Sequence, residues 1–170
     1  MALITGAALA QEYPARPVRI LSAEAGGGAD FVARVMAQHM TTALSRQLVV
    51  ENRPARLLGE MLAKATPDGY TLLIASSTIL HAPIFGEAHY DPVRDFAPVT
   101  MLATAPSVLV VHPTVAARSV PELIALAKAK PGELNYGSGG AGSSPHLTAE
   151  LFKQMAGVNL TRIAYKGTGD

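Results

Sequence analysis

The sequence has no cysteine, which excludes disulfides and thiolate metal sites but assigns no compartment. Charge imbalance is also missing: 14 Lys+Arg against 13 Asp+Glu leave a formal +1. With no basic run and no aromatic ladder, nothing points to nucleic acid as a partner. No apolar stretch is long enough to span a bilayer, and there is neither a low-complexity tract nor a short-period repeat. No Gly-x-Ser-x-Gly elbow occurs, so the commonest serine-hydrolase signature is absent. The five histidines are scattered; only His89-x-Asp91 brings two ligand types close together, and no metal-ligand spacing results. What the chain does hold is apolar material, 49% hydrophobic against 16% charged over 170 residues. That is ample for a core, and the length allows one domain or slightly more.

One stretch concentrates the chemistry. Asn135-Tyr136-Gly137-Ser138-Gly139-Gly140-Ala141-Gly142-Ser143-Ser144-Pro145-His146-Leu147 joins a strand end, a donor-rich loop and a helix start. Its glycines let backbone N–H groups approach a bound group, and Ser138, Ser143 and Ser144 add hydroxyls. Ser144 as N-cap with Pro145 in the first helical position would aim the positive end of the helix at the loop. A carboxylate or a phosphate suits such a place. The same arrangement occurs earlier: a strand over 18–21, a loop Ser22-Ala23-Glu24-Ala25-Gly26-Gly27-Gly28-Ala29, then Asp30 capping a helix to about Leu44. Two such loops facing each other would hold a small acid between two helix N-termini. No Arg or Lys lies in either loop, so the expected donors are the N–H groups of Gly27, Gly28 and Gly142 with the hydroxyls of Ser143 and Ser144. Asp30 must turn away as a cap, or accept from a ligand hydroxyl or ammonium, because a carboxylate beside an anion repels it.

Along the chain, strands and helices alternate. The helix after Asp30 is expected to bury Val32, Val35, Met36, Met40 and Leu44, with the methionines as core filler. A strand over 48–50, a helix over 57–65, a Pro67-Asp68-Gly69 turn and a strand over 70–75 follow, the last ending in Ser76-Ser77-Thr78 at the edge where open α/β sheets place ligands. Residues 90–95 read as an ordered surface loop. Strands are expected over 99–102 and 108–111, then a helix with a Ser119/Glu122 capping box that stops at Pro131-Gly132. A strand over 134–136, the glycine-serine loop, a helix over 145–156 burying Leu147, Leu151, Phe152 and Met155, and a strand over 160–165 complete the series. Such alternation predicts right-handed βαβ crossovers and mainly parallel sheet.

Two enzyme readings are weaker. Gly137-x-Gly139-x-x-Gly142 fits the dinucleotide-binding expression, but the next strand ends without the acidic residue that fingerprint requires. Ser143 or Ser144 with His146 would make a poor nucleophile and base, since a histidine two or three residues along a helix start is badly placed to take the proton. The first ten residues are small and apolar, and Ala8-Leu9-Ala10 before Gln11 has the form of a signal-peptidase site. With no Lys or Arg ahead of it, the segment reads as a signal peptide clipped at its front, and it implies export.

Several motifs together resemble the periplasmic solute receptors of tripartite tricarboxylate transporters, the Bug-type binding proteins. They are Tyr13-Pro14-x-Arg16-Pro17-Val18-Arg19, Ala25-Gly26-Gly27-x-x-Asp30-x-Val32-Ala33-Arg34, Val49-Val50-Glu51-Asn52-Arg53-Pro54 and Pro67-Asp68-Gly69-Tyr70-Thr71-Leu72-Leu73. Further on come Tyr90-Asp91-Pro92-Val93-x-Asp95-Phe96-x-Pro98-Val99, the loop from Asn135 to Leu147, and Tyr165-Lys166-Gly167. The resemblance implies an α/β fold of the type II periplasmic-binding-protein class, built of alternating βαβ units in two lobes. Residues 1–10 would be the partial signal peptide, 11–102 the first lobe and 103–170 the start of the second, both lobes incomplete. It implies a receptor, not an enzyme, without cofactor or metal, that binds a small carboxylate (a di- or tricarboxylate, an aromatic acid or an amino acid) in the periplasm and delivers it to a membrane permease. The site residues it implies are Ala25, Gly26, Gly27, Gly28 and Asp30 in the first loop, Ser76 and Ser77 in a third, and Ser138, Gly142, Ser143, Ser144 and His146 in the second. The chain departs from the family at Glu24, where proline is usual, at Ala82, where asparagine is usual, and at Ala55-Arg56-Leu57-Leu58, where a glycine-rich loop is usual. Family members also continue well past Tyr165-Lys166-Gly167, so as a free polypeptide this chain is expected to behave as a truncated product with uncovered edges and little ligand affinity.

Overall fold

The structure is a computed structural model that describes residues 13–86 and 88–165. The signal-peptide reading and the Lys166-Gly167 of the last motif fall outside the described residues. The first half forms β1 (Val18–Ser22), α1 (Gly28–Leu44), β2 (Leu48–Asn52), α2 (Ala55–Ala63) and β3 (Thr71–Ile74). These strands make a parallel sheet in the order β2-β1-β3, with Ser22 opposite both Asn52 and Ile74. As the central strand, β1 is covered on both faces, which is why Val18, Ile20, Leu21 and Ser22 are all buried.

Val18, Ile20 and Leu48 meet Ala33 and Ala37 of α1, with Met40 and Leu44 partly buried beside them. The expected face of α1 is therefore rotated. Val35 is exposed, and the two alanines, one turn apart, press on the sheet. Small side chains let the helix axis come close, and the methionines then fill the flanks. The helix also begins three residues earlier than expected: Gly27, not Asp30, is its N-cap, and Asp30 lies inside the first turn. Likewise α2 starts at Ala55, where the backbone N–H donates to Glu24 Oε1 (3.1 Å). The Glu24 carboxylate thus caps this helix from across the loop, and two of the departures from the family pattern meet in one contact.

After β3 come a single-turn helix α3 (Thr78–His81) and a 3-10 turn (Ala82–Phe85). The 90–95 loop is ordered by Asp91, whose carboxylate accepts from Val93 N–H (2.8 Å). Tyr90 itself is buried over Gly59 of α2 and donates to Ile79 O (2.8 Å). The second half has α4 (Val120–Ala129), β4 (Asn135–Ser138), α5 (Ser144–Ala156) and β5 (Thr161–Ala164), with β4 and β5 parallel. The Ser119 hydroxyl accepts from Glu122 N–H, and the Glu122 carboxylate accepts from Arg118 N–H (2.8 Å), so the capping box forms with its acidic arm one residue further out.

Two expectations fail here. Residues 99–102 and 108–111 are not strands; the backbone is irregular, and Val99, Met101, Val108 and Val110 are exposed. Their apolar, β-branched composition favours extended chain, but a strand also needs a neighbour to pair with, and these find none among the described residues. The helix over 145–156 does not bury Leu151 or Met155, which are 55% and 80% exposed. It lies against β4 of a sheet that is two strands wide, too narrow to cover the face.

Candidate functional site

The first glycine loop leaves the carboxyl end of β1, the central strand, and is tied down by one buried carboxylate. Asp30, 4% exposed, accepts from Gly26 N–H (3.0 Å), Arg34 Nε (3.0 Å) and Asn52 Nδ2 (2.8 Å). Asn52, at the end of β2, also donates to Ala23 O (2.6 Å) and accepts from Arg34 Nη2 (2.9 Å). The Arg34 guanidinium, then Asn52 and the Gly26 N–H, hold the Asp30 carboxyl down at about 2 against its ordinary 3.8, more than offsetting its burial. Asp30 therefore faces into the loop's own network, and its negative charge is answered before any ligand arrives. Gly26 takes the left-handed conformation (φ +83°) that lets its N–H turn inward.

The Gly27 N–H is spent on Glu24 O (3.3 Å). The first intrahelical bond of α1 is made by Phe31 N–H to Gly27 O, so the N–H groups of Gly28 and Ala29 point out of the helix end without an intrahelical acceptor. At the end of β1, where this loop begins, the Ser22 hydroxyl is fully buried with no hydrogen-bond partner. Sequence reasoning missed Ser22, although its place as the last residue of the central strand was the available signal. A small hollow between Ala23, Ala55, Ser76 and Thr78 adjoins this loop. It brings Ser76 to the first cradle, whereas Ser77 is the N-cap residue of α3.

The second loop is built the same way from different parts. Ser143, not Ser144, is the N-cap of α5; Pro145 is in its first turn and Ser144 is its exposed first residue. The Ser143 N–H closes a turn on Gly140 O (3.1 Å), its carbonyl accepts from Leu147 N–H (3.0 Å), and its buried hydroxyl has no partner. Gly142 has φ +71°, and its N–H donates to His146 Nδ1 (3.1 Å). That bond assigns the His146 proton to Nε2. Burial, then the charge of Arg162, pushes the His146 ring below its usual range and favours this neutral, accepting form.

Ser138 is buried, and its hydroxyl donates to Gly139 O (3.2 Å) and accepts from Arg162 Nε (2.8 Å). It is a bracket within the loop. Tyr136 donates to the Glu150 carboxylate, which also takes Lys153 Nζ (2.9 Å); burial first and Glu150 second push the phenol up to about 12. This contact fastens α5 to β4 and keeps the helix end over the loop.

The segment after β3 reaches the second loop. His81 of α3 places Nδ1 3.3 Å from Gly142 O, a contact that requires the proton on Nδ1 because a carbonyl only accepts. The Phe85 ring lies close enough that a Cβ at Gly142 would meet it at 3.1 Å. The nucleophile-and-base reading does not fit these contacts: the Ser143 hydroxyl has no partner, and His146 Nδ1 is occupied by Gly142 N–H. Among the described residues no group of three or more His, Asp or Glu side chains is placed to hold a metal ion.

Both glycine loops leave the carboxyl ends of parallel strands and lead into helix N-termini. The profile of the tripartite tricarboxylate transporter family receptor matches residues 32–170, and the chain belongs to that family. It is similar to Protein BugT of Bordetella pertussis, 38% identical over 167 residues that cover 94% of this chain and 51% of BugT. Among solved structures it is similar to R. palustris Rpa4515 with adipate, with 35% identity and a TM-score of 0.83 over 91% of this chain and 54% of the other. It is also similar to MatC from Rhodopseudomonas palustris with bound malate, with 26% identity and a TM-score of 0.84 over 92% and 55%. The chain spans about half the length of the curated relatives it matches. The fold is thus that of the periplasmic solute-binding proteins.

Proposed function

We propose that the two strand-end loops are the two halves of a binding site for a small organic carboxylate, in a periplasmic receptor that passes its ligand to the membrane permease of a tripartite tricarboxylate transporter. The two lobes of that receptor would be seated on the two sheets, with residues 11–102 and 103–170 contributing to one each. The observation that carries the reading is the pair of buried, unpartnered hydroxyls, Ser22 where the first loop leaves β1 and Ser143 at the N-cap of α5. An orphaned buried hydroxyl costs stability unless something completes it. Ser143 lies next to helix N–H groups that favour an anion, and Ser22 opens the loop that leads to the N-terminus of α1. The adipate and malate named with two similar structures are dicarboxylates, the class that two facing cradles suit.

On this reading Gly28 and Ala29 N–H with the Ser22 hydroxyl serve one carboxylate, and the Ser143 and Ser144 hydroxyls with His146 Nε2–H serve the other. On the same reading the protein acts as a receptor. The test is titration of Ser22→Ala and Ser143→Ala with adipate and malate. Each substitution is expected to weaken binding by about 1–3 kcal/mol, while in the absence of ligand Ser143→Ala unfolds at the same or a slightly higher urea concentration. Wild-type affinity in both variants would remove these serines from the site.

A further inference from the structure

Among the described residues Arg162 is the one cation that hydrogen-bonds the second loop, and it comes from outside it. It sits on β5 directly opposite Tyr136 of β4. Its guanidinium bridges two consecutive residues at the start of the loop, donating from Nε to Ser138 Oγ (2.8 Å) and from Nη2 to Gly139 O (2.7 Å). A fork of this kind fixes direction as well as distance, because the planar group cannot satisfy both acceptors if either moves. Downstream of the clamp the chain has only Gly140 and Ala141 before the Gly142 peptide, whose N–H and C=O are held by His146 and His81. We propose that Arg162 is the positioning residue of the second cradle, setting the path of residues 138–143 through its fork and drawing an anion to the loop through its charge without touching the ligand.

This proposal rests on reading the loop as a carboxylate site, and it deepens that reading in one respect. The donors read for the cradle are neutral, and the Arg162 charge is held at the start of the loop by its bonds to Ser138 and Gly139. An anion then gains long-range attraction while its direct contacts remain short, neutral and directional, the arrangement that lets a ligand be released. Among the described residues the charged and titratable groups around His146 are Glu150 and Lys153 on its own helix, Tyr136 on β4, Arg162 on β5 and His81 of α3 through the Gly142 peptide. Of these, Arg162 is the largest charge acting to keep the ring neutral, after burial itself.

The experiment uses the full chain and two variants, Arg162→Gln, which removes the charge, and Arg162→Lys, which keeps the charge but not the fork. The first readout is the His146 titration followed by NMR, which needs no ligand. It should move to higher pH in Arg162→Gln and stay near wild type in Arg162→Lys. The second readout is titration with adipate and malate. Arg162→Gln should bind about tenfold more weakly, with a shallower salt dependence, and Arg162→Lys severalfold more weakly, with the wild-type salt dependence. If Arg162→Gln fails to fold, Arg162→Lys carries the test alone: weakened binding with unchanged His146 titration upholds the positioning role, and wild-type affinity overturns it. If the wild-type chain takes up neither acid, the carboxylate reading falls, while an unmoved His146 titration in Arg162→Gln would overturn the role of Arg162 by itself.

Discussion

Asp30 and Ser143 are both polar and both buried, yet they are opposites. Asp30 has three donors around one carboxylate, and Ser143 has none. Removing Asp30 strands Asn52, Arg34 and the Gly26 N–H, so Asp30→Ala is expected to cost roughly 1–3 kcal/mol in urea unfolding. The acid dependence has a definite sign. The folded-state carboxyl is held at about 2, below its ordinary 3.8, so its contribution is whole above about pH 4 and is lost as pH falls towards 2. The stability gap between wild type and Asp30→Asn, measured by urea unfolding, should therefore shrink across that window. A gap that is constant from pH 6 to pH 2 would contradict the network. Part of this was legible: Asp30-x-x-x-Arg34 is the spacing of a helical ion pair. The contribution of Asn52 was not, because it depends on the pairing of β2 with β1, and Arg162 was hidden for the same reason. Both act across strands, and sequence distance carries no trace of register.

Helix punctuation was read in part: the caps expected at Asp30 and Ser144 fall instead on Gly27 and Ser143. The Ser119/Glu122 cap, the end of α1 and the alternation of strand with helix all follow from local preference, which the chain satisfies wherever it can. Contacts that depend on a partner were invisible. Gly59 is an example: it lies in mid-helix, where glycine is unfavourable, and its reason is the Tyr90 ring, which a Cβ would meet at 2.2 Å. Gly59→Ala should gain helix propensity yet lose more by overpacking, for a net loss of about 1–3 kcal/mol by urea or thermal unfolding. Gly59→Ala together with Tyr90→Ala should recover part of it, since the clash is then gone. The expected strands over 99–102 and 108–111 failed through the converse error. Alternating valines state a preference for extended chain but name no partner, and in the structure these side chains are exposed.

Across the whole molecule, strand-helix alternation was enough to give a parallel α/β protein with its loops of interest at the carboxyl ends of strands, and the glycine-rich stretches marked which loops. It was not enough to say which donors remain free. Gly27 and Gly142 were expected to present their N–H groups and instead spend them within the loops, while Ser22, named in its loop but not among the donors, has an unspent hydroxyl. The measurement that follows from this is a two-ligand NMR titration of the full chain, with adipate and with adipamide, its neutral counterpart of nearly the same shape. Adipate is expected to shift the amide resonances of Gly28, Ala29, Ser143 and Ser144 in a saturable manner and to leave those of the exposed 99–111 segment unmoved, with adipamide giving no saturable shift. Equal responses to the two compounds, or shifts confined to residues outside both loops, would contradict a carboxylate site between the two helix ends.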